Sequence, residues 1–372
     1  MFLAVLIFLF AACWFTAATF AHFLGGPSIL IQALTMVVPV AFVAVVFTSR
    51  RHQHGALSAA AKVSSLAMGY INFAFLAAIA CWPVVGLGSA LNLAVAPATL
   101  AWSLLGLSAL VATYGVINGA RVHVTRYTIP LPNLPDAWDG REVAVVSDVH
   151  VGIIRGPAFV QRVVRRLQAL NPTAVFIPGD LFDGPEVDIA QSVAPLAQLT
   201  PPAGTYFVTG NHDEFRDPLP YLAALTRVGV RVLHNESVQV RGLQIIGLHD
   251  AESDSPETFR RHLAAFGIDR ARPSVLLAHR PSHMEIADAA GVSLQLSGHT
   301  HAGQFPVWTW IVNKIYGRFA YGLNRVGDLQ IVTSSGVGSG GPPLRVGTRS
   351  EIVLLRLECA AAAPVPREAK AA

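Results

Sequence analysis

Five short stretches of this sequence hold side chains suited to metal and proton chemistry. Asp148 and His150 form an Asp-x-His pair, and Asp180 and Asp183 stand in Gly179-Asp180-Leu181-Phe182-Asp183. Asn211, His212 and Asp213 follow Gly210, His279 stands alone, and His299 and His301 close Gly298-His299-Thr300-His301, with Gly303 just beyond. Taken singly, each is better explained by a polar residue closing a turn, and a two-residue His spacing also arises by chance. Together they ask for more, because carboxylates and imidazoles withdrawn from water are costly unless positive charge neutralises them. A pair of metal ions is the obvious partner. Asp, His and Asn form a hard-to-borderline ligand set, which suits Mn, Fe or Zn better than an all-oxygen Mg or Ca site.

The elements that must position these groups are legible as apolar runs of strand length. Such runs at 142–146, 173–177, 205–209, 274–278 and 292–296 each end just before one of the five clusters. Ligands in open α/β sheets bind in the crevice outside the carboxyl ends of the strands. On a straight strand, residues i and i+2 point to one side, so the rings of His299 and His301 could face a single point. Further strands are expected at 243–247, 329–333 and 351–357, and an alternating edge strand at 121–129. Helices are expected at 157–170, 187–199, 218–228, 256–266 and 281–289. In the first, Val160, Val163, Val164, Leu167 and Leu170 recur at helical spacing, while Arg162, Arg165 and Arg166 fall mainly on the opposite face. That basic face reads as a solvated surface, with a lipid-headgroup patch as the alternative. The pattern is α/β with room for two sheets.

The N-terminal part has another character. Residues 1–135 contain no acid and five basic residues (Arg50, Arg51, Lys62, Arg121 and Arg126), while the 22 basic and 23 acidic residues that follow nearly cancel. The net charge of +4 therefore comes from the apolar part. A nucleic-acid partner is not expected, since its footprint needs a basic face on a soluble domain. Stretches 2–24, 29–48, 65–87 and 94–118 each approach or exceed the roughly 20 apolar residues a bilayer crossing requires, and none has a polar face at helical spacing. An all-α transmembrane region of about four helices is expected. For the first stretch a cleaved signal peptide is the alternative, since Thr19-Phe20-Ala21 loosely fits a small-x-small site, but the positively charged start is missing. A transporter would place ionisable groups inside its spans, where only His22 qualifies, so an anchor is favoured. Arg50, Arg51 and Lys62 between the middle spans, and Arg121 and Arg126 after the last, point to a multi-pass protein of the inner (cytoplasmic) membrane whose later residues lie on the cytoplasmic side. Cys13, Cys81 and Cys359 form no paired spacing, so neither a disulfide framework nor a CxxC site is implied.

In order, Asp148-x-His150, Gly179-Asp180-x-x-Asp183, Gly210-Asn211-His212-Asp213, His279 and Gly298-His299-x-His301 resemble the motif series of the calcineurin-like metallophosphoesterase superfamily, over about residues 140–358. The resemblance implies an α/β sandwich, with helices outside two mixed sheets, and two divalent metal ions, Mn first and Fe or Zn as alternatives. One ion would be held by Asp148, His150 and His301, the other by Asn211, His279 and His299, with Asp180 bridging them. His212 would stand free of the metals as the catalytic acid, and Asp183 would orient it. Such a pair of ions polarises phosphoryl oxygens and lowers the pKa of a bridging water, and the resulting hydroxide attacks phosphorus in line. A general acid that protonates the leaving oxygen adds about 10²- to 10⁴-fold.

The run Ser334-Ser335-Gly336-Val337-Gly338 to Gly341-Pro342-Pro343, with Arg345 beyond it, further resembles a small bacterial membrane-associated branch that includes UDP-2,3-diacylglucosamine hydrolase-like enzymes. Its glycines read as a tight turn rather than a phosphate loop. Arg280, next to His279, would contact a substrate phosphate or simply be solvated. Stretch 304–328 gathers Phe305, Trp308, Trp310, Ile311, Ile315, Tyr316, Phe319 and Tyr321 with Lys314, Arg318 and Arg325, a mixture that suits a membrane interface as well as a loop packed on the sheet. Candidate substrate contacts are therefore Arg280, Trp308, Trp310 and Arg345. The expected organisation is a transmembrane anchor at 1–118, a linker with an edge strand at 119–140, a metallophosphoesterase domain at 141–358 and a disordered tail at 359–372. The expected partners are the lipid bilayer and a phosphorylated, lipid-linked substrate. A soluble nucleotide ester is the alternative, and a non-catalytic sensor or transporter is disfavoured by the intact ligand set.

Overall fold

The structure, a computed structural model, describes residues 2–26, 28–49, 55–183, 188–215 and 217–360. It divides into two units, one comprising Met1–Arg121 with Ser339–Arg349 and the other Val122–Gly338 with Ser350–Ala372.

The first unit is helical: α1 (Phe2–Leu24), α2 (Ser28–Ser49), α3 (Gly55–Ala90) and α4 (Pro97–Ala120). Phe8, Trp14, Val63, Leu87, Trp102 and Leu110 point outward and are exposed. Helices apolar on every side are unfavourable in water and at home in hydrocarbon, where the helix satisfies all of its own backbone groups. Among the described residues three helices are long and apolar enough to cross a membrane: Leu6–Leu24, Ala56–Ala90 and Pro97–Ala120. The fourth expected span, 29–48, falls on α2, where the described apolar run is Thr35–Val45 and several side chains on either side of it lie outside the described residues. Inside the unit, Trp82 Nε1 donates to Thr19 Oγ1 at 3.1 Å, and Phe20, Ala78, Cys81 and Ala101 form a small core.

Segment Ser339–Arg349 belongs to this helical unit although it interrupts the other one. The Arg345 N–H donates to the Gly115 carbonyl at 2.8 Å. Asn118 Nδ2, near the end of α4, donates to the carbonyls of Arg345 at 3.0 Å and Thr348 at 2.8 Å. Gly119 permits this approach, since a Cβ there would stand 3.1 Å from Leu344 Cα.

The second unit contains twelve described strands: β1 (Val122–Pro132), β2 (Glu142–Val145), β3 (Ala174–Pro178), β4 (Thr205–Val208), β5 (Val230–Val232), β6 (Glu236–Val240), β7 (Leu243–Leu248), β8 (Ser274–Ala278), β9 (Leu294–Ser297), β10 (Gly322–Val326), β11 (Leu329–Thr333) and β12 (Ser350–Ala360). They form two six-stranded mixed sheets, ordered β1-β12-β2-β3-β4-β5 and β10-β11-β9-β8-β7-β6. Neighbours are parallel from β2 through β5 and from β7 through β8 and β9 to β11. The antiparallel pairs are β12 with β2, β6 with β7 and β10 with β11.

Side-chain alternation assigns the layers. Val143, Val145, Phe176, Val275, Leu277 and Leu355 meet in the core between the sheets. Their neighbours Ala144, Val175 and Leu354 face outward to α5 (Pro157–Leu170), α6 (Ile189–Val193) and α7 (Leu219–Arg227). Leu276 and Ala278 face the opposite side, toward α9 (Pro256–Ala265) and α10 (Met284–Ala290), with the single turn α8 (Asp250–Ser253) after β7. A period of two along strands covered on both faces produces this four-layer arrangement, helix on sheet on sheet on helix. Helix α5 starts with Pro157 at its first position, ends on Asn171 in the left-handed region and buries Val160, Val163, Val164 and Leu167. Arg162, Arg165 and Arg166 are exposed.

Three strands (β5, β6 and β10) and two helices, α8 and α11 (Trp308–Tyr316), are additional to those read from the sequence. The expected helix at 187–199 is instead α6 followed by a 3-10 turn at Ala194–Gln198, where Pro195 enters. Strand β12 runs through Cys359 and Ala360, and the rest of the expected tail lies outside the described residues.

Candidate metal centre

The first sheet delivers Asp148 and His150 beyond β2, Asp180 beyond β3 and Asn211 beyond β4; the second delivers His279 beyond β8 and His299 and His301 beyond β9. All seven therefore sit at carboxyl ends of parallel strands, on turns held by main-chain bonds. Asp148 N–H donates to the Gly179 carbonyl and His150 N–H to that of Asp180, both at 3.1 Å, and Gly298 N–H donates to the His279 carbonyl at 2.8 Å. Asp148, His150, Asp180, His299 and His301 all adopt positive φ, between 50° and 70°. Such backbone costs energy for residues with a Cβ and tends to persist where a site depends on it. His299 and His301 thus lie past the end of β9 and are aimed by left-handed turns, not by strand alternation, and they face different partners.

Two groups result, and they share a carboxylate. In the first, His301 Nε2 lies 3.0 Å from His150 Nε2 and 3.6 Å from Asp148 Oδ1. In the second, His299 Nδ1 lies 2.8 Å from Asn211 Oδ1 and 3.3 Å from His279 Nε2. Asp180 Oδ2 stands between them, 3.2 Å from His279 Nε2 and 3.8 Å from His150 Nε2. Asp148–His150–His301 and Asp180–His279–His299 each offer ligand atoms within 4.8 Å of one another, and so does His150–Asp180–His212. Imidazole nitrogens that face each other this closely need a proton or a cation between their lone pairs, and carboxylates beside them favour the cation. The donor set fits divalent metal ions. The His279 ring is oriented from behind, its Nδ1 lying 2.9 Å from the Pro178 carbonyl, an arrangement typical of ligating histidines.

The electrostatics show how much positive charge this pocket wants. Burial would depress the imidazoles of His150 and His279, but the carboxylates facing them outweigh it and hold them at about 9 and about 10. His299 is driven the other way, to about 3, by burial and then by the charges of His279 and Arg280. Burial pushes Asp148 up, while Asp180 is held well below the usual carboxylate range because His279 and His150 outweigh its own burial. Asp148 and His279 are completely buried. The demand for cations is met by protons on His150 and His279 or by metal ions in their place.

The His212 side chain is 28% exposed, against 1%, 0% and 14% for those of His150, His279 and His301. Its Nδ1 lies 2.9 Å from Asp183 Oδ1 and its N–H donates to Asp180 Oδ1 at 2.9 Å. Burial would raise Asp183, but the imidazoles of His150, 3.6 Å away, and of hydrogen-bonded His212 keep it well below the usual range. Asp213, given no role by sequence reasoning, accepts the N–H groups of Phe182 and Gly210, each at 2.8 Å, and so ties the β3 and β4 turns together. Burial, then the charge of Asp180, pushes it up to about 7. Glu214 accepts the Thr209 hydroxyl and, at 2.8 Å, the Ala251 N–H, so the His212 loop is tied to the second sheet. The signal was an acidic pair after His212 in the sequence.

The suggested substrate contacts fall in different places. Arg280 is held by Asp250 through two bonds of 2.8 and 2.9 Å and approaches Asp254 at 3.5 Å. Trp308 and Trp310 are exposed on α11, while Tyr316 at the other end of that helix lies edge-on to His299, with centroids 5.9 Å apart. Arg345 is completely buried within the helical unit. Sequence reasoning missed Phe215, which is exposed and lies 4.6 Å from the His212 ring.

Residues 142–303 match the family model for the calcineurin-like phosphoesterase domain, and all seven candidate ligands fall inside that range. Among curated relatives, the chain is 33% identical over 269 residues to a transmembrane protein with metallophosphoesterase domain from Danio rerio, covering 68% of this chain and 61% of the relative. It is 34% identical to the protein of the same name from Bos taurus (66% and 60% covered) and 33% identical to an uncharacterized metallophosphoesterase from Helicobacter pylori (58% and 59% covered). The chain thus spans about three fifths of the length of these relatives. Through residues 142–303 it belongs to the calcineurin-like phosphoesterase superfamily.

Proposed function

We propose that this protein is a membrane-anchored, dinuclear-metal-dependent phosphoesterase that hydrolyses a phosphodiester or pyrophosphate bond in a lipid-linked substrate. The observation that carries the reading is the pair of His/Asp groups sharing Asp180 Oδ2. Asp148, His150 and His301 would hold one ion, Asn211, His279 and His299 the other, and Asp180 both. When bound, two divalent ions, Mn first with Fe or Zn as alternatives, supply Lewis acidity toward phosphoryl oxygens and a lowered pKa for water.

The chain's own residues do the rest. His212 is accessible and not confined to either shared group, and Asp183 occupies its Nδ1, which leaves Nε2 to give a proton to the departing oxygen. Asp213 and Glu214 hold the loop that carries it. The apolar helices support an attachment that brings lipid-linked esters within reach, as do relatives named as transmembrane proteins. The loop charges support a multi-pass inner-membrane protein with its catalytic unit on the cytoplasmic side.

The test uses the full chain in detergent, with Mn, Fe or Zn supplied or removed, against a soluble phosphodiester, a phosphomonoester, a nucleotide ester and a lipid pyrophosphate in mixed micelles. Metal-dependent hydrolysis with preference for the lipid substrate is expected. No hydrolysis with any metal would refute the enzyme, and equal use of soluble nucleotide esters would refute the lipid. A reporter fused after Ala372 should behave as cytoplasmic, and an external reporter would reverse the orientation.

A further inference from the structure

The stretch 304–327 contains no acidic residue but holds Lys314, Arg318 and Arg325. Its helix α11 buries none of its nine residues completely. Trp310 and Ile315 are 65% and 67% exposed, and Trp308 and Val307 are 45% and 43% exposed. Soluble surfaces seldom collect large apolar side chains so densely unless something covers them. The cations are interleaved with the rings: Lys314 Nζ lies 5.8 Å from the Trp310 centroid and the Arg318 guanidinium 4.9 Å from that of Phe319. Arg325 already has Asp328 as a partner at 3.3 Å, which leaves Lys314 on α11 and Arg318 in the turn just after it, whose Nη2 also donates to the Arg325 carbonyl at 2.9 Å, as the charges this segment can offer.

We infer that α11 is an interfacial helix that docks on an anionic bilayer surface. Trp308, Trp310 and Ile315 enter the headgroup and upper acyl region, and Lys314 and Arg318 pair with lipid phosphates. Indole rings are amphipathic and concentrate at that depth, and a short helix with apolar and basic side chains and no acid fits a negative surface. Charge complementarity selects the lipid, and apolar helices long enough to cross a bilayer in the same chain keep one within reach. Because Tyr316 of this helix meets His299 edge-on, the docked helix and the metal centre share a wall. The inference goes beyond the phosphoesterase reading and does not depend on turnover.

The test reads depth and not activity. In the full chain, with Cys13, Cys81 and Cys359 replaced by Ala, single variants Trp310→Cys, Ile315→Cys and, as a water-exposed control, Asp328→Cys carry an environment-sensitive fluorophore. Each is reconstituted in phosphatidylcholine vesicles, with or without phosphatidylglycerol, that contain brominated lipid. Labels at 310 and 315 should be strongly quenched when phosphatidylglycerol is present, and the label at 328 should not. Reversing both charges (Lys314→Glu with Arg318→Glu) should lower the quenched population about tenfold or more. Quenching at 310 and 315 no greater than at 328, or unaffected by phosphatidylglycerol and charge reversal, overturns the inference. A blue-shifted label without bromolipid quenching would identify a protein or a second copy as the occupant and would overturn it too.

Discussion

Replacing His212 by Gln tests whether this residue gives a proton or holds a metal ion. Its Nδ1 lies 2.9 Å from Asp183, which the imidazoles of His150 and His212 hold well below the usual carboxylate range, so on the proposed reading Nε2 is the nitrogen that would meet a substrate. If it protonates the leaving oxygen, its removal costs about 10²- to 10⁴-fold, or about 2.7–5.4 kcal/mol at 1.36 kcal/mol per decade, on an ester with a poor alkoxide leaving group. On a p-nitrophenyl ester, whose phenolate leaves without help, the loss should shrink to less than about tenfold. Metal content should not change, because the Asp148–His150–His301 and Asp180–His279–His299 groups are complete without it. The assay compares kcat/KM for the two leaving groups in the wild type and His212→Gln, with bound metal measured on the same samples. Equal losses for both esters, or the departure of one ion, would refute the proton-donor role and make the third group, His150–Asp180–His212, the one that matters.

Other perturbations follow from the same geometry. Asp180→Asn keeps an acceptor for the His212 N–H but removes the charge that both groups share, and bound metal measured by mass spectrometry should fall below two ions per chain. Gly298→Ala puts a Cβ 2.2 Å from Asp148 Oδ2; overpacking of this kind costs about 1–3 kcal/mol, so both melting temperature and metal affinity should drop, and unchanged affinity would count against Asp148 as a ligand. Burial, and then the charge of His234, holds His249 down to about 4, against about 6.5 in an unfolded chain. Its contribution to stability is therefore present above about pH 6.5 and lost as the pH falls toward 4, amounting to about 2 kcal/mol by pH 5. His249→Gln should flatten the melting temperature across that window by several degrees relative to wild type, and parallel curves would remove His249 as the cause.

The chemistry-bearing turns were legible because each ends an apolar run, and that pattern depends only on local sequence. The aim of the side chains was not. His299 and His301 separate because both turns take left-handed backbone, which a period-two argument cannot foresee. Arg280 was open to two readings until Asp250, 30 positions away, was seen to hold it. Strand β10 and helix α11 were hidden in a stretch whose aromatic content masks both periodicities. The Gly-rich run after Ser334 read as one turn, yet Gly338 stays with the sheets and donates to the Asp148 carbonyl at 2.8 Å, while the residues just after it join the helices.

That last division bears on how the protein is made and on how it can be taken apart. The chain passes from one unit to the other at Arg121, returns at Ser339 and leaves again after Arg349. The helical unit therefore lacks its final strip until β1 to β11 have left the ribosome, which makes its assembly a long-range event, and such events are slow. A cut at residue 121 would not release a self-sufficient catalytic fragment. It would leave Leu344, Arg345 and Val346 on a loop stripped of the helix that covers them, so a protease or an engineer who separates the two units gains a sticky fragment rather than a soluble enzyme.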